Sequence, residues 1–130
     1  MTTLPTQAEF PANPGRPLVI PTDEVEPIQP AESAGGSLEV LQAIVGGYID
    51  LVKIGSHEGY SIDLVINDEG KVHGLPKNSR ATVLAAETGA IRLGDFIAGP
   101  AAVVLSDPST GESYGVTREA AQSVRQRARL

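Results

Sequence analysis

The fold of this chain is decided by three nearby segments, LEVLQAIVGGYIDLV (residues 38–52), SIDLVINDEGKVHG (61–74) and LPKNSRAT (75–82). Ser37 is a good N-cap for the first segment. Apolar residues then recur at the spacing of one helix face, at Leu38, Leu41, Ile44, Val45 and Tyr48. The segment predicts a short helix over residues 37–47 that two glycines end. Such a helix is marginal alone, so we expect it to pack on a sheet.

Two strands are expected to follow the helix and to form the centre of that sheet. Residues 48–54 are rich in β-branched side chains, and residues 60–67 alternate between apolar and polar positions. Residues 67–70 (NDEG) have the composition of a hairpin turn. Residues 71–75 are therefore predicted to return as the partner strand of residues 60–67, and Pro76 ends that strand.

The flanking segments have weaker patterns. Residues 17–30 predict a poor hairpin or two edge strands, because prolines are tolerated at sheet edges. Residues 81–86 fit either a strand or a helical turn, and residues 95–106 hold the last strand region. Thr117 is expected to cap a C-terminal helix whose apolar stripe is thin, so that helix should dock weakly or meet a partner.

Adjacent strands with few helices indicate an α+β fold, with a mostly antiparallel sheet, one packed helix and a peripheral C-terminal helix. The length of 130 residues fits one domain that can bury its own core. We interpret residues 1–16 as a flexible proline-rich arm, residues 17–116 as a single α+β domain and residues 117–130 as the C-terminal helix. The one aromatic residue of the arm, Phe10, can pin it to the body or to a partner.

The composition excludes several kinds of site. The chain has no cysteine, which excludes disulfides, thiolate zinc sites and cysteine nucleophiles. Residues 1–20 lack the pattern of a secretory signal, and no apolar run reaches the roughly 20 residues that a membrane helix needs. We therefore expect a soluble, cytoplasmic protein that does not enter a membrane.

The charge of the chain is unevenly distributed. The net charge of −6 and the pI near 4.8 argue against nucleic-acid binding, which requires a basic surface. Residues 1–36 hold five acidic residues and one arginine, whereas residues 117–130 hold four arginines and one glutamate. The acidic residues are interpreted as an aid to solubility, and the arginines as the solvated face of a helix.

Several motifs together resemble a small domain of unknown function found in bacteriophages and their bacterial hosts. In such domains a leucine-glutamine helix runs into V-G-G-Y-I-E, followed by an N-D-E-G-K turn, a G-L-P-x-N loop and a final I-x-G strand. The matching residues here are Leu41-Gln42, Val45-Gly46-Gly47-Tyr48-Ile49, Asn67-Asp68-Glu69-Gly70-Lys71, Gly74-Leu75-Pro76, Asn78 and Ile97-Ala98-Gly99.

The resemblance extends over residues 18–105 and has two departures. Asp50 stands where the pattern often has glutamate, and Ser79 separates Asn78 from Arg80 where the pattern often reads N-R. No role is therefore carried over onto Arg80. The resemblance implies a phage or mobile-element accessory protein, and it brings no known catalytic residues.

No catalytic or metal-binding motif is recognisable. Nucleophile elbows, phosphate-binding loops, zinc-protease motifs and dinucleotide glycine patterns do not occur in the sequence. The two histidines, His57 and His73, lie sixteen residues apart, unlike a local metal motif, and His73 is expected to be a half-buried residue opposite the 60–67 strand. Asp68 and Glu69 are interpreted as a solvated turn. We expect no catalytic residue, no metal and no cofactor.

The loop of residues 74–80 is the best candidate for a binding site. It concentrates Lys77, Asn78 and Arg80 where the chain leaves a predicted strand. Such a loop can offer backbone N–H groups and cations to a phosphate or carboxylate. The simpler interpretation, which we favour, is a polar connection in which Asn78 bonds its own backbone.

The first functional hypothesis is a non-enzymatic phage accessory protein that binds a host macromolecule, with a host protein as the expected partner. The second is an acidic anti-restriction protein that mimics DNA, and the third is a binder of a small anionic ligand such as a nucleotide. The acidity, the small size and the missing catalytic motifs favour the first hypothesis. The sequence leaves the oligomeric state open.

Overall fold

The computed structural model describes residues 15–33 and 35–128. Along these residues the elements are β1 (Leu18–Ile20), β2 (Gln29–Pro30), α1 (Leu38–Val45), β3 (Ile49–His57), β4 (Tyr60–Asn67), α2 (Ser79–Glu87), β5 (Ala101–Ser106), β6 (Ser113–Tyr114) and α3 (Arg118–Arg127). Phe10 and most of the predicted arm lie outside the described residues. Within the described ranges, no helix has the length and apolarity needed to cross a membrane.

The strands form one antiparallel sheet in the order β2-β1-β5-β4-β3, and β6 also pairs with β5. The central strand β5 is buried along its whole length. Its alternate side chains enter two separate apolar clusters, with Val103 in one and Val104 in the other. The sheet is therefore covered on both faces, by α2 and α3 on one side and by α1 on the other.

The α+β class and the antiparallel sheet predicted from the sequence are confirmed. The first predicted helix is α1, with the Ser37 side chain as its N-cap and Gly46 in the left-handed conformation at φ 81° as its C-cap. Residues 60–67 form β4 as predicted. Residues 81–86, which the periodicity left ambiguous, belong to the helix α2 because Asn78 caps its first turn.

The prediction of a returning strand at residues 71–75 is wrong. Both edges of β4 are already paired, with β3 on one side and β5 on the other, so no edge is left for a third partner. The segment instead curls into a helical turn in which the His73 N–H donates to the carbonyl of Glu69, 3.0 Å away. His73 is consequently exposed and does not lie opposite Leu64, which pairs with Val52 and Val103.

The structure also differs from the prediction in the segments before α1 and after α2. Within residues 17–30, β1 and β2 pair antiparallel as in the predicted hairpin, but β1 is an interior strand between β2 and β5, so only β2 is an edge strand in this part of the sheet. The last strand region begins at Ala101 and not at residue 95. The helix α3 is not peripheral, because Ala120, Val124 and Ala128 are buried in the main core. Its thin stripe suffices because alanines allow a close approach to the sheet.

Candidate functional site

A pocket of about 490 Å³ opens at the C-terminal end of α1. We call it the helix-end pocket. Its walls come from the last turn of α1, the connection to β3, the end of β4 and the helical turn that follows β4. The lining residues are Gln42, Ala43, Gly46, Gly47, Tyr48, Asn67, Glu69 and His73. The V-G-G-Y and N-D-E-G motifs of the sequence therefore meet at one place in the structure.

The end of α1 is shaped by its two glycines. The N–H groups of Gly46 and Gly47 both donate to the carbonyl of Gln42, at 2.8 and 3.2 Å, which closes the helix. A Cβ atom on Gly47 would lie 3.0 Å from Nδ2 of Asn67. Glycine at this position thus allows the Asn67 side chain to reach the helix end.

Asn67 connects the two halves of the pocket. Its Nδ2 donates to the carbonyl of Val45 at 3.0 Å, which satisfies one of the carbonyls that a helix end leaves unpaired. Its Oδ1 accepts the N–H of Glu69 at 2.8 Å and starts the turn after β4. Both functional atoms of the amide are engaged in structure, so Asn67 forms the floor of the pocket and leaves ligand contacts to its neighbours.

Three lining side chains have ends that the fold leaves exposed. Tyr48 is 71% exposed, although its position on the predicted helix face suggested burial. Glu69 and His73 lie on the same side of their helical turn, with Oε1 and Nε2 3.8 Å apart. An aromatic ring, a carboxylate and an imidazole therefore surround one hollow.

The field in the helix-end pocket favours positive charge. The C-terminal end of a helix carries a partial negative charge, and the carboxylate of Glu69 adds to it. A cation or a group rich in hydrogen-bond donors is stabilised there, whereas a phosphate or carboxylate is repelled. The ring of Tyr48 supplies a flat face that suits a guanidinium, an ammonium or another ring.

A second hollow of about 390 Å³ lies on the other side of the same helical turn. Lys71 forms an ion pair with Asp95, and its Nζ lies 4.9 Å from the centre of the Phe96 ring. The pKa of Asp95 is lowered by hydrogen bonds from the Lys71 side chain and the Phe96 N–H. Lys71, the one cationic side chain among the described residues of this lining, is engaged by Asp95, while Asp50 and Asp68 line the hollow as well.

The structure places the three predicted site residues in three different surroundings. Lys77 is exposed, and its backbone forms a bridge with Ala98. Asn78 is fully buried. Two hydrogen bonds join the guanidinium of Arg80 to the carbonyls of Pro21 and Asp23, at 3.0 and 2.9 Å.

Asn78 uses its whole amide within the fold. Its Oδ1 accepts the N–H of Ala81 at 3.1 Å, and its Nδ2 donates to the carbonyls of Ile20 and Gly99 at 2.8 and 3.1 Å. Asn78 thus joins α2, β1 and the segment just before β5. Since the loop does not gather its polar side chains around one point, anion binding by residues 74–80 stays a prediction that the arrangement does not strengthen.

Sequence reasoning missed the helix-end pocket, although it singled out the residues that line it. The V-G-G-Y and N-D-E-G motifs were each explained by local architecture, as a helix stop and a turn. Two contacts bring the motifs together. Ile49 pairs with Asn67, and the Asp68 N–H donates to the carbonyl of Tyr48 at 2.9 Å. Those contacts depend on the strand register, which the sequence pattern did not specify.

Comparison with known proteins identifies the chain at the level of its family. Neither a curated protein nor a solved structure matches it significantly. The profile of DUF3846, described as a domain of unknown function, matches residues 16–129. This match confirms the expected small domain of unknown function, and it covers a longer part of the chain than the motifs do, through α3. The chain therefore belongs to DUF3846, a family of domains of unknown function.

Proposed function

We propose that this chain is a non-enzymatic accessory protein of a phage or mobile element, and that its helix-end pocket receives a basic side chain of a host protein. The observation that carries the proposal is the exposure of the Tyr48 ring, the Glu69 carboxylate and the His73 imidazole around one hollow. The motif resemblance to phage domains is the reason for expecting the partner in a host.

Electrostatics support a basic group as the occupant. The end of the α1 dipole and Glu69 are negative, and the chain as a whole carries a net charge of −6. A complementary field accelerates association with a basic partner and disfavours acidic ones. Arginine suits the pocket best, because its guanidinium can stack on Tyr48 while it donates to Glu69.

A binding role is supported over a catalytic one by the absence of a recognisable catalytic motif in the sequence. Among the described residues that line it there is no serine, threonine, cysteine or lysine nucleophile. Asn67, the one buried polar residue of the lining, is engaged in structural hydrogen bonds. The same negative field gives less support to an anion-binding protein at this place on the molecule. A mimic of DNA needs several acidic groups spaced like phosphates on one face, and Glu69 is the one acidic residue among the described residues that line the pocket.

The proposal is tested by capturing host proteins on immobilised chain and measuring the affinity of the recovered partner by calorimetry. We expect Tyr48→Ala and Glu69→Lys each to weaken binding by about 30-fold or more, as is usual for a central interface residue. Leu93→Ala is the matched control, because Leu93 is an exposed apolar residue outside the pocket lining.

A second arm replaces single arginines and lysines of the recovered partner by alanine. One of these replacements should weaken binding as much as Tyr48→Ala does. When that replacement is combined with Tyr48→Ala, binding should become no weaker than with either change alone. A partner that binds Tyr48→Ala and Glu69→Lys as tightly as the unchanged chain would exclude the helix-end pocket as the binding site.

A further inference from the structure

A cluster of metal-ligating side chains lies where the β3–β4 hairpin meets the first turn of α3. It consists of His57, the last residue of β3, Glu58 in the hairpin loop, and Glu119 of α3. Their ligand atoms, one from each residue, all lie within 4.8 Å of one another. His57 is half-buried, whereas both glutamates are exposed.

The hairpin presents His57 and Glu58 together. His57 pairs with Tyr60, so that Glu58 and Gly59 form a two-residue loop. Both loop residues have positive φ, 48° and 87°, which is the geometry of a type I′ turn. Such turns favour asparagine, aspartate or glycine at the first position, so turn chemistry does not explain the glutamate.

The start of α3 brings the third side chain to the same place. Thr117 is the N-cap of α3, and its Oγ1 lies 3.5 Å from Nε2 of His57. Two residues later, Glu119 stands in the first turn of the helix. Burial of Ala120 and Val124 in the main core holds this turn against the hairpin. The cluster is therefore assembled by two elements that the core fixes independently.

We propose that His57, Glu58 and Glu119 bind one first-row divalent cation of the Zn²⁺ type. One imidazole and two carboxylates form a donor set that suits Zn²⁺, Co²⁺ or Ni²⁺, whereas Mg²⁺ and Ca²⁺ prefer oxygen ligands alone. Ligand atoms at about 2.0 Å from a tetrahedral Zn²⁺ stand about 3.3 Å apart. Both glutamate side chains are exposed, so they are free to rotate toward a shared cation.

The cation would link the hairpin to α3. Without a cation, two carboxylates near each other repel; with one, they are held together with the imidazole. Three protein ligands leave a coordination position for water, as in open rather than closed zinc sites. Binding should therefore stabilise the contact between α3 and the sheet.

The test is calorimetric titration of the full chain, free of any histidine tag, with Zn²⁺, together with the visible absorption of bound Co²⁺. We expect one Zn²⁺ per chain and a Tm higher by about 10 °C at a hundredfold excess of Zn²⁺ over Kd. His57→Gln and Glu119→Gln should each weaken binding at least tenfold.

Glu58→Asn separates metal binding from folding. Asparagine is favoured in the turn, so this variant should keep the metal-free Tm or raise it, while Zn²⁺ binding falls at least tenfold. His73→Gln and Glu69→Gln are the controls, since this second histidine–glutamate pair offers two ligands instead of three. No saturable binding at millimolar Zn²⁺, or an equal loss in the control variants, would overturn the proposal.

Discussion

The two faces of the sheet differ in how completely they are covered. The face under α2 and α3 holds the larger cluster, which includes Ile54, Leu64, Leu84, Val103, Leu105 and Val124. The face under α1 holds a smaller one, whose buried members are Leu41, Val45, Val65, Ala102 and Val104. The buried polar residues Asp63 and Asn67 alternate with the apolar residues of β4 and lie on this second face.

The difference shows how a binding surface can arise beside a well-packed core. A helix of eight residues such as α1 is about 12 Å long, whereas a strand of eight residues such as β4 spans about 26 Å. The helix α1 is therefore shorter than the strand beneath it, and the helix-end pocket opens where α1 stops. Stability is concentrated on the α2/α3 face, and the candidate recognition surface lies beside α1.

The largest expected effect is on the α2/α3 face. Leu64 is completely buried there, so Leu64→Ala should lower the free energy of unfolding by about 3 kcal/mol through lost burial and a residual cavity. Urea denaturation measures this loss. Val72→Ala, at an exposed position, should leave stability unchanged. If Leu64→Ala lowered the free energy of unfolding by less than a truncation on the α1 face does, stability would not be concentrated on the α2/α3 face.

Removing the N-cap of α2 should destabilise the fold more than removing the N-cap of α1. Asn78→Ala should cost about 2 kcal/mol, because it removes the cap of α2 and leaves the buried carbonyls of Ile20 and Gly99 without their donor. Ser37→Ala on α1 removes one exposed hydrogen bond of 3.3 Å to Val40 and should cost about 0.5 kcal/mol. Equal losses in thermal unfolding would mean that burial does not distinguish the two caps.

Truncation on the α1 face should cause an intermediate loss. Val45 is buried at the end of α1, and Val45→Ala removes two carbon groups, worth about 1.5 kcal/mol of burial. The loss should appear in the urea midpoint and as faster amide exchange in α1. If Val45→Ala changed neither the rate of amide exchange in α1 nor the urea midpoint, the packing described for this face would be contradicted.

The smallest expected effect concerns the ion pair beside the helical turn. The hydrogen bond from Lys71 lowers the pKa of Asp95 from its ordinary value of 3.8. The carboxylate therefore contributes stability above that value, and the contribution is lost as the pH falls through the lowered pKa. The urea midpoints of the unchanged chain and Asp95→Asn should differ at neutral pH and converge in acid. A difference that grows in acid would contradict this sign.

Much of the local structure could be predicted from the sequence, because it depends on neighbouring residues. The Ser37 cap, the helix stop at the two glycines, the strand β4 and the Thr117 cap are all where the pattern indicates. The predicted strand at residues 71–75 is wrong for a reason outside the segment, since β5 and β3 already pair with both edges of β4. Hairpin composition at residues 67–70 could not reveal that competition.

The sequence by itself determined the periodic faces of α1 and β4, the helix stops and caps, and the acidic charge. The tertiary structure alone decided which distant residues meet: Asn78 with Ile20 across 58 positions, Asn67 with the end of α1 across 22, and His57 with Glu119. Periodicity and capping act over a few residues, whereas these meetings depend on strand order and on burial of both sheet faces. For that reason, the motifs predicted the elements of the fold, and the candidate sites became visible only in the folded chain.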